Sequence, residues 1–524
     1  MGSENGKNDA AILQNLSQWI EEAGGQVHPS LELRTKTPDK NSTTGFQGCP
    51  MRGLFATKEI KKGDILIRLP TELAICGEKL PNKWGKEKRF ASPWLRTLAC
   101  LYLAQDDPKW APYIDSLPDE FETLWQWNDD EVNFLEGTTL GETLQNDREE
   151  GALELRYQES VKPYLKHLKI PEASEKIGKH PMDLFKRVSM SISTRGFHMQ
   201  PPPDENQEDS DQDKKPTAKY LGPFLLPVID LLNHTVTNKA TTLQRDEATK
   251  AFFMVAERDM ASGEEICHSY GEKLTAAQIL QTFGFIPESK IQGAVSEDLW
   301  GAVRNKTPAV LSKEQLIEAC RNVVRSNYPK ELKEKMQQED IGGETWELKI
   351  YSEKERDLTC LPDQYLITAS TSCSCLSDEI VTLCCIHLLP DYVYNEIFGE
   401  EPKLLDQGVL EDYFLGKLVA MAILTAIKKR LEAYTPLKGV PGVEDEDMID
   451  DKAILKSLLE MKKHSTSTVR AMYGLTIRLE EKKGLEELRN EVVAVISCLD
   501  EEEEDEEEDI EEENHSAKKQ KTAE

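Results

Sequence analysis

The sequence is short of positive charge. Its 524 residues hold 64 Lys and Arg against 95 Asp and Glu, which gives a formal net charge of −31 at pH 7. Nucleic-acid binding needs a dense cationic surface, so this balance argues against a nucleic-acid partner. A basic protein partner suits the chain better, because opposite charges steer encounter.

Long hydrophobic runs are also missing. The best apolar stretch runs from Leu418 to Ile427, between Lys417 and Lys428, and is far shorter than the ~18 residues of a membrane span. We therefore expect no membrane partner. The first residues lack a basic segment followed by an apolar one, so we expect no secretory signal. The 11 cysteines are scattered and odd in number, which favours reduced thiols and a cytoplasmic or nuclear location.

Several common site motifs are absent. No Gly-x-Gly-x-x-Gly stands between a strand and a helix, and no Walker loop occurs, so dinucleotide and P-loop sites are excluded. The pairs Cys373/Cys375 and Cys384-Cys385 lack the ligand spacing of zinc sites. We therefore predict no metal site.

The hydrophobic pattern changes several times along the chain. Residues 52–69 alternate as two strands around a Lys62-Gly63-Asp64 turn, and the pattern over 90–190 is mostly helical. Residues 201–216 combine prolines with acids, which predicts a loop. Strand character returns after residue 221, and from about residue 311 the pattern is helical. The run from Asp500 to Glu513 holds 13 acids in 14 positions, which predicts a solvated tail.

The most informative stretch is 221–287. It carries Asp230-Leu231-Leu232-Asn233-His234, then Gly263-Glu264-Glu265, then Tyr270-Gly271 and Phe283-Gly284-Phe285. Each piece alone is an ordinary strand or turn, with a half-buried aromatic or a satisfied histidine. The ordered set is much less common.

Together with Arg52-Gly53-Leu54-Phe55-Ala56 and Thr194-Arg195, this set resembles the SET-domain methyltransferases. The helical segment over 90–190, which interrupts the strand-rich part, and the helical pattern after about residue 311 narrow the family to one subgroup. This subgroup contains the Rubisco large-subunit lysine methyltransferase and the actin-histidine methyltransferase. Three further segments also resemble this subgroup, namely the run from Trp110 to Pro118 and residues 431–434 and 475–479. The resemblance covers about residues 10–495.

The resemblance implies an α+β protein in three parts. These are a β-rich SET domain over 10–295 with a helical insert at about 90–190 and an acidic loop at about 201–216, an all-helical substrate-binding domain over 311–498, and a disordered acidic tail over 499–524. We expect the helical domain to recognise a folded protein, with the clusters Lys428-Lys429-Arg430 and Glu480-Glu481 on exposed faces.

The resemblance also implies S-adenosylmethionine as cofactor and methyl transfer to a protein side chain. Tyr270 is then the catalytic tyrosine, and Arg195 faces the cofactor carboxylate. Asn233 and His234 reach its amino group and adenine. The implied cofactor-binding set is Pro50, Met51 and Arg52, as a loop, with Arg195, Asp230, Asn233, His234, Tyr270, Phe283, Gly284 and Phe285.

These side chains suit that chemistry. A sulfonium methyl is already activated, so the protein mainly has to align donor and acceptor. A tyrosine hydroxyl can accept a hydrogen bond from an amine, and arginine offers a carboxylate a bidentate fork. A lysine acceptor has an ordinary pKa of ~10.4 and must lose its proton, which a desolvated channel favours.

Lysine methylation by a monomeric protein methyltransferase is therefore the leading hypothesis. Histidine is the close alternative acceptor. The family often has Glu-Gly near residue 50, where this chain has Pro50-Met51, and that difference favours a second alternative, a catalytically weak SET-fold binding protein. The intact Arg195, Asn233 and Tyr270 favour an enzyme. An acidic histone-chaperone-like protein is supported by the tail alone.

Overall fold

The computed structural model describes residues 9–36, 51–80, 92–118, 120–174, 180–199, 221–236, 238–271, 274–296, 308–327, 364–368, 376–388, 413–443, 450–461 and 464–521. Pro50 and the acidic loop predicted over 201–216 lie outside these residues. The chain divides into two compact units. The first comprises Met1–Asp130, Thr143–Gly293 and Leu459–Val469, and the second comprises Glu131–Glu142, Ala294–Leu458 and Arg470–Glu524.

Small sheets form the frame of the first unit. Strands β1 to β4 are Gln26–Val27, Leu31–Lys36, Met51–Ala56 and Ile65–Pro70. Strands β5 to β8 are Ile75–Cys76, Phe197–Met199, Leu221–Leu225 and Asn233–His234. Strands β9 to β11 are Thr241–Asp246, Ala251–Ala256 and Cys267–His268. They pair as β1-β4-β10-β9, β5-β7-β6, β2-β3 and the parallel pair β11-β8.

Ten α-helices lie among the described residues up to 295. They are α1 (Asp9–Glu22), α2 (Pro93–Ala104), α3 (Ala111–Ser116), α4 (Asp129–Val132), α5 (Thr139–Glu149), α6 (Ala152–Arg156), α7 (Lys162–Leu168), α8 (Pro181–Arg195), α9 (Ala276–Phe283) and α10 (Glu288–Val295). In α1, Leu13, Leu16 and Ile20 are buried at helical spacing, which explains why this segment is an amphipathic helix. A hydrophobic core joins α1, α2 and α8 to the strands.

The second unit is mainly helical. Its described helices are Lys313–Asn327, Asp378–Leu388, Tyr413–Glu432, Asp451–Leu459 and Thr466–Lys521, the last of which begins in the first unit. An antiparallel pair of strands that the sequence pattern did not show joins Pro308–Ser312 to Gln364–Thr368. The last helix continues through the acidic run, where we expected a disordered tail. Glutamate is a good helix former, so the acidic run can extend a helix that has already formed.

The segment Glu131–Glu142 belongs to the second unit although it lies inside the predicted insert. Arg470 pairs with Glu131, and Arg430 pairs with Glu142 across 2.7 Å. At Gly474, an added Cβ would lie 2.4 Å from the Phe134 carbonyl oxygen, so this segment approaches the last helix closely. A cut near residue 300 would remove these partners from the segment.

Buried charges connect the helices of the second unit, which corrects one expectation. Arg430 and Glu481, expected on exposed faces, are 1% and 6% exposed, and their charged atoms lie 3.1 Å apart. The Tyr434 hydroxyl donates to Glu481 at 2.7 Å, and the Thr139 backbone N–H donates to it at 3.2 Å. Buried carboxylates need such donors, and the apolar spacing of a helix does not show them.

Arg478 forms a second buried centre. Its Nε lies 2.9 Å from the Asp451 carboxylate, which also pairs with Lys482 at 2.7 Å. Its Nη2 donates to the Thr435 carbonyl at 2.6 Å. The charges of Arg430, Arg478 and Lys482 all lie within 5.5 Å of the Tyr434 ring centroid. The polar side chains therefore specify how these helices pack.

We predict that Arg430→Ala destabilises the protein by about 3–5 kcal/mol, because Glu481 loses its buried cation. Burial already raises the pKa of Glu481, and Arg430 opposes that shift. Without Arg430 the native carboxyl binds a proton more readily than the unfolded one, so stability falls as pH rises. Denaturant unfolding should therefore show a larger deficit at pH 8 than at pH 5.

Lys428→Ala provides the matched control, because Lys428 lies on the same helix and is exposed. It should change the free energy of unfolding much less than Arg430→Ala does. Equal effects of the two substitutions would contradict a structural role for the buried pair.

Candidate active site

The candidate site lies where residues 264–268 contact two strands of the first unit. On one side, the Ile266 N–H donates to the Leu54 carbonyl at 2.8 Å, so the segment follows β3. On the other side, β11 runs parallel to β8, with Cys267 opposite Asn233. This double pairing brings together motifs that are more than 170 residues apart in sequence, as the bond from the Asn233 side chain to the Arg52 carbonyl shows.

Tyr270 lies two residues after the end of β11. Its hydroxyl donates to the Leu232 carbonyl at 2.7 Å. Burial, the largest cause, raises the pKa of Tyr270, and Arg195 opposes the shift. The hydroxyl therefore stays protonated near neutral pH. Because its proton is committed to Leu232, its oxygen lone pairs remain able to accept a hydrogen bond from another group.

His234 lies against Tyr270, with their ring centroids 5.1 Å apart. The Tyr270 backbone N–H donates to His234 Nδ1 at 3.1 Å. Burial lowers the pKa of His234 to about 4, so the ring is neutral at pH 7. Since Nδ1 accepts, Nε2 carries the proton, and this buried atom has no hydrogen-bond partner among the described residues. An unsatisfied donor of this kind points to a ligand acceptor.

Asn233 opens β8, and its side-chain amide is oriented by two acceptors. Nδ2 donates to the Glu265 carboxylate at 2.7 Å and to the Arg52 carbonyl at 3.2 Å. An amide nitrogen has two protons, so both are used within the protein. The carbonyl oxygen Oδ1 is therefore the atom of this side chain that can meet a ligand donor, such as an ammonium group.

Arg195 ends α8 and is held by the segment around Asp230. Its Nη1 donates to the Asp230 carbonyl at 2.7 Å and lies 3.6 Å from the Asp230 carboxylate. Its Nε is buried and has no hydrogen-bond partner within the part of the chain that the structure describes. A half-buried guanidinium with an unused donor suits a ligand carboxylate.

Asp230, expected to line the site, has internal partners. Its side chain is 2% exposed, and the buried Tyr113 hydroxyl donates to its carboxylate at 2.9 Å. Burial raises its pKa, and Arg195 and Tyr113 oppose the shift. Val228, two residues earlier, has φ of 69°, a conformation that is rare for a β-branched residue and costs about 1–3 kcal/mol. This geometry suits Asp230 to orienting Arg195, and its contact with a ligand stays a prediction.

Phe283 and Phe285 extend the aromatic surface. Phe283 lies 4.8 Å from the Tyr270 ring and Phe285 lies 6.4 Å from the His234 ring, measured between centroids. Between them, Gly284 ends α9 with φ of 81°. These rings can pack against a flat heteroaromatic group.

Most of the residues predicted for the site are therefore in one connected cluster. Arg52, Arg195, Asp230, Asn233, His234, Tyr270, Phe283 and Phe285 are linked through the contacts above. Met51 and Arg52 begin strand β3 and pair with β2, where we expected a loop. Pro50 lies outside the described residues. The assignment of each residue to the cofactor remains a prediction.

Two residues of the cluster received no role from the sequence, Tyr113 and Glu265. Both lie inside sequence runs that carried the resemblance to the family. Their position in these runs was the feature of the sequence from which a role could have been inferred. Their partners, Asp230 and Asn233, are distant in sequence or on another strand, and no spacing rule connects them.

The cluster can bind a zwitterionic amino-acid group beside a flat ring. Arg195 Nε is an unused donor for a carboxylate, and Asn233 Oδ1 is an acceptor for an ammonium. His234 Nε2 is a donor beside the aromatic surface. These are the polar groups of S-adenosylmethionine, so the residues present fit the cofactor that the resemblance implies.

A family profile for the SET domain matches residues 51–271. This region has the SET-domain fold, and the α+β class that we predicted is confirmed. A solved structure described as "Crystal structure of the SET domain of LSMT bound to Lysine and AdoHcy" is similar, with a TM-score of 0.55 and 15% identity. The alignment covers 94% of this chain and 93% of that one.

Curated relatives place the chain near the predicted subgroup. It is 27% identical to N-lysine methyltransferase setd6 of Xenopus laevis over 278 residues, which cover 51% of this chain and 55% of that protein. It is 25% identical to actin-histidine N-methyltransferase of Xenopus tropicalis over 298 residues, which cover 53% and 44%. The chain thus spans about half the length of the curated relatives it matches. The resemblance to this subgroup is confirmed.

Two features of the described residues bear on other functions. Within the described ranges, no helix has both the length and the apolar character to cross a membrane. Among the same residues, no group of three or more His, Cys, Asp or Glu side chains is placed to hold a metal ion.

We predict that Gly284→Ala destabilises the protein more than Gly263→Ala. Both glycines have positive φ, 81° and 86°, so both substitutions carry a backbone cost of about 1 kcal/mol. An added Cβ at Gly284 would lie 1.8 Å from the Glu122 carbonyl oxygen. An added Cβ at Gly263 would have no atom of the described residues within 4 Å outside its own chain neighbours. Thermal unfolding of both variants isolates the effect of the steric clash. Equal shifts would contradict the close packing of this turn.

Proposed function

We propose that the protein is an S-adenosylmethionine-dependent protein N-methyltransferase and that its acceptor is lysine. The observation that carries the proposal is the state of the Tyr270 hydroxyl. It is protonated, held by Leu232, and retains acceptor capacity beside a cluster that suits a zwitterionic cofactor. The SET fold and the lysine methyltransferases among the relatives support the same conclusion.

The proposed binding roles follow from the unused groups. Arg195 binds the cofactor carboxylate, and Asn233 Oδ1 accepts from its ammonium. His234, Phe283 and Phe285 contact the adenine. When bound, the cofactor supplies an activated methyl group on a sulfonium.

Tyr270 acts on the acceptor nitrogen. Its proton points to Leu232, so its oxygen accepts an N–H of the incoming neutral amine and directs the nitrogen lone pair towards the methyl group. Holding the reactants in line can supply several kcal/mol of the barrier. The raised pKa of Tyr270 disfavours the phenolate form that could act as a general base, so the lysine proton leaves for solvent before attack.

We predict that Tyr270→Phe lowers turnover about 100-fold or more, the effect of losing one aligned polar group in a transition state. The ring still packs against His234 and Phe283, so the Kd for S-adenosylhomocysteine should change less than threefold. Calorimetry and a radiolabelled methyl-transfer assay measure the two effects separately.

Tyr157→Phe is the matched control, because its hydroxyl contacts Glu172 in the helical segment and belongs to no part of the proposed site. It should leave turnover unchanged. Full turnover in Tyr270→Phe would remove Tyr270 from its role.

Histidine is the second candidate acceptor, favoured by the actin-histidine methyltransferases among the relatives. Incubation with labelled cofactor and a cell extract, followed by mass spectrometry, identifies the modified residue. We predict a modified lysine. With a purified substrate, the single-turnover rate should then rise with pH towards ~10, whereas a histidine acceptor, already neutral above ~7, would give a plateau.

We also propose that the helical second unit recognises the substrate as a folded protein. Its described residues contribute none of the site groups above, yet they form an ordered, charge-linked bundle. In the same labelling experiment, an intact substrate should then be methylated faster than a peptide carrying its target residue. Equal rates would favour a purely structural role.

Labelling also tests the non-catalytic alternative. A chain that binds S-adenosylhomocysteine yet labels no protein in any extract would be a SET-fold binding protein.

A further inference from the structure

The Glu265 carboxylate lies beside Asn233 on a segment that pairs with two strands. Glu265 forms a β-bridge with Phe55 of β3, and Cys267, two residues later, lies opposite Asn233 in the β8-β11 pair. The chain is therefore held on both sides of the Glu265 side chain. From this position, Oε1 lies 2.7 Å from Asn233 Nδ2.

The contact determines which end of the Asn233 amide meets a ligand. A carboxylate accepts hydrogen bonds and has no proton to donate, so it selects the NH₂ end of the amide. The Arg52 carbonyl, 3.2 Å from Nδ2, selects the same end. Rotating the amide by 180° would place its oxygen against two acceptors. Oδ1 is thus presented on the opposite side.

Gly53 leaves the space for this pair. A Cβ at position 53 would lie 2.6 Å from Asn233 Nδ2 and 2.7 Å from Glu265 Oε1. Two polar side chains therefore meet directly over a glycine of strand β3. An alanine at this position would have to displace one of them.

The neighbouring Glu264 has a different environment. Its carboxylate pairs with Arg258 at 2.5 Å and accepts from the Ala261 backbone N–H at 2.9 Å. These contacts keep Glu264 within its own turn. Of the two adjacent acids, only Glu265 has a described contact with Asn233.

We propose that Glu265 is a positioning residue, which orients the Asn233 amide so that Oδ1 accepts from the ammonium group of the bound cofactor. The inference rests on the proposed function and assigns a role to a residue that touches neither reacting atom. The proposed role is that of one hydrogen-bond acceptor. Glu265 acts as a hydrogen-bond acceptor for Nδ2, so another acceptor at position 265 should replace it.

The test uses the full chain and S-adenosylhomocysteine as the probe. Glu265→Met removes the acceptor at similar length and should weaken binding about tenfold or more, the usual effect of a misoriented polar partner. Glu265→Gln keeps an acceptor oxygen and should restore affinity to within a few-fold of wild type. Glu264→Met is the matched control and should leave the Kd unchanged.

A double-mutant cycle separates positioning from other roles. In an Asn233→Ala background, Glu265→Met should weaken binding less than about twofold further, because no amide remains to be oriented. Additive losses would overturn the proposal. If Glu265→Gln binds as weakly as Glu265→Met, Glu265 acts through its charge, and the positioning role is also overturned.

The melting temperature without ligand provides the structural readout. The positioning role is compatible with a lower melting temperature for Glu265→Met alone. Glu265→Gln should then melt at the wild-type temperature, and the double-mutant cycle should still be non-additive. Wild-type protein that fails to bind S-adenosylhomocysteine would overturn the proposed function itself. Wild-type binding with an unaffected Glu265→Met would overturn only the inference about Glu265.

Discussion

The candidate site depends on the pairing of one short segment with two strands. Residues 264–268 follow β3 through Ile266 and run parallel to β8 through Cys267 and His268. This pairing sets the position of Tyr270, brings Glu265 to Asn233, and aligns the Tyr270 N–H with His234. Backbone hydrogen bonds tolerate little displacement, so the side chains inherit a precise geometry from the main chain. Because these side chains have fixed hydrogen-bond partners within the protein, their remaining donor and acceptor atoms define the chemistry of the candidate site.

Buried polar groups perform different tasks in the two units. In the first unit, Arg195 and His234 each keep a buried nitrogen that has no hydrogen-bond partner among the described residues, and such groups carry a free-energy cost unless a ligand meets them. In the second unit, Arg430 and Glu481 pair with each other and hold helices together. Buried charged side chains thus serve the candidate site in one unit and a structural centre in the other.

Much of the candidate site could be predicted from local motifs. Asn233-His234 and Tyr270-Gly271 are contiguous runs whose order along the chain carried the resemblance. The roles of Tyr113 and Glu265 could not be predicted, because each depends on a contact with a residue of another segment. Asp230 shows the same limit. Its place in a motif suggested a ligand contact, whereas its carboxylate is buried against Tyr113 and Arg195.

By itself the sequence determined the strand and helix periodicities and the acidic charge, and its resemblance to a family predicted the α+β class and the candidate site residues. The periodicities depend on residue types at short spacing, where 2.0 and 3.6 residue periods act, and the resemblance depends on short contiguous motifs in a fixed order. Only the tertiary structure decided that Glu131–Glu142 joins the second unit, that Arg430 and Glu481 are buried, and which way the Asn233 amide points. Those outcomes depend on desolvation and on partners that lie between 32 and 342 residues away in the sequence, and a linear pattern contains neither.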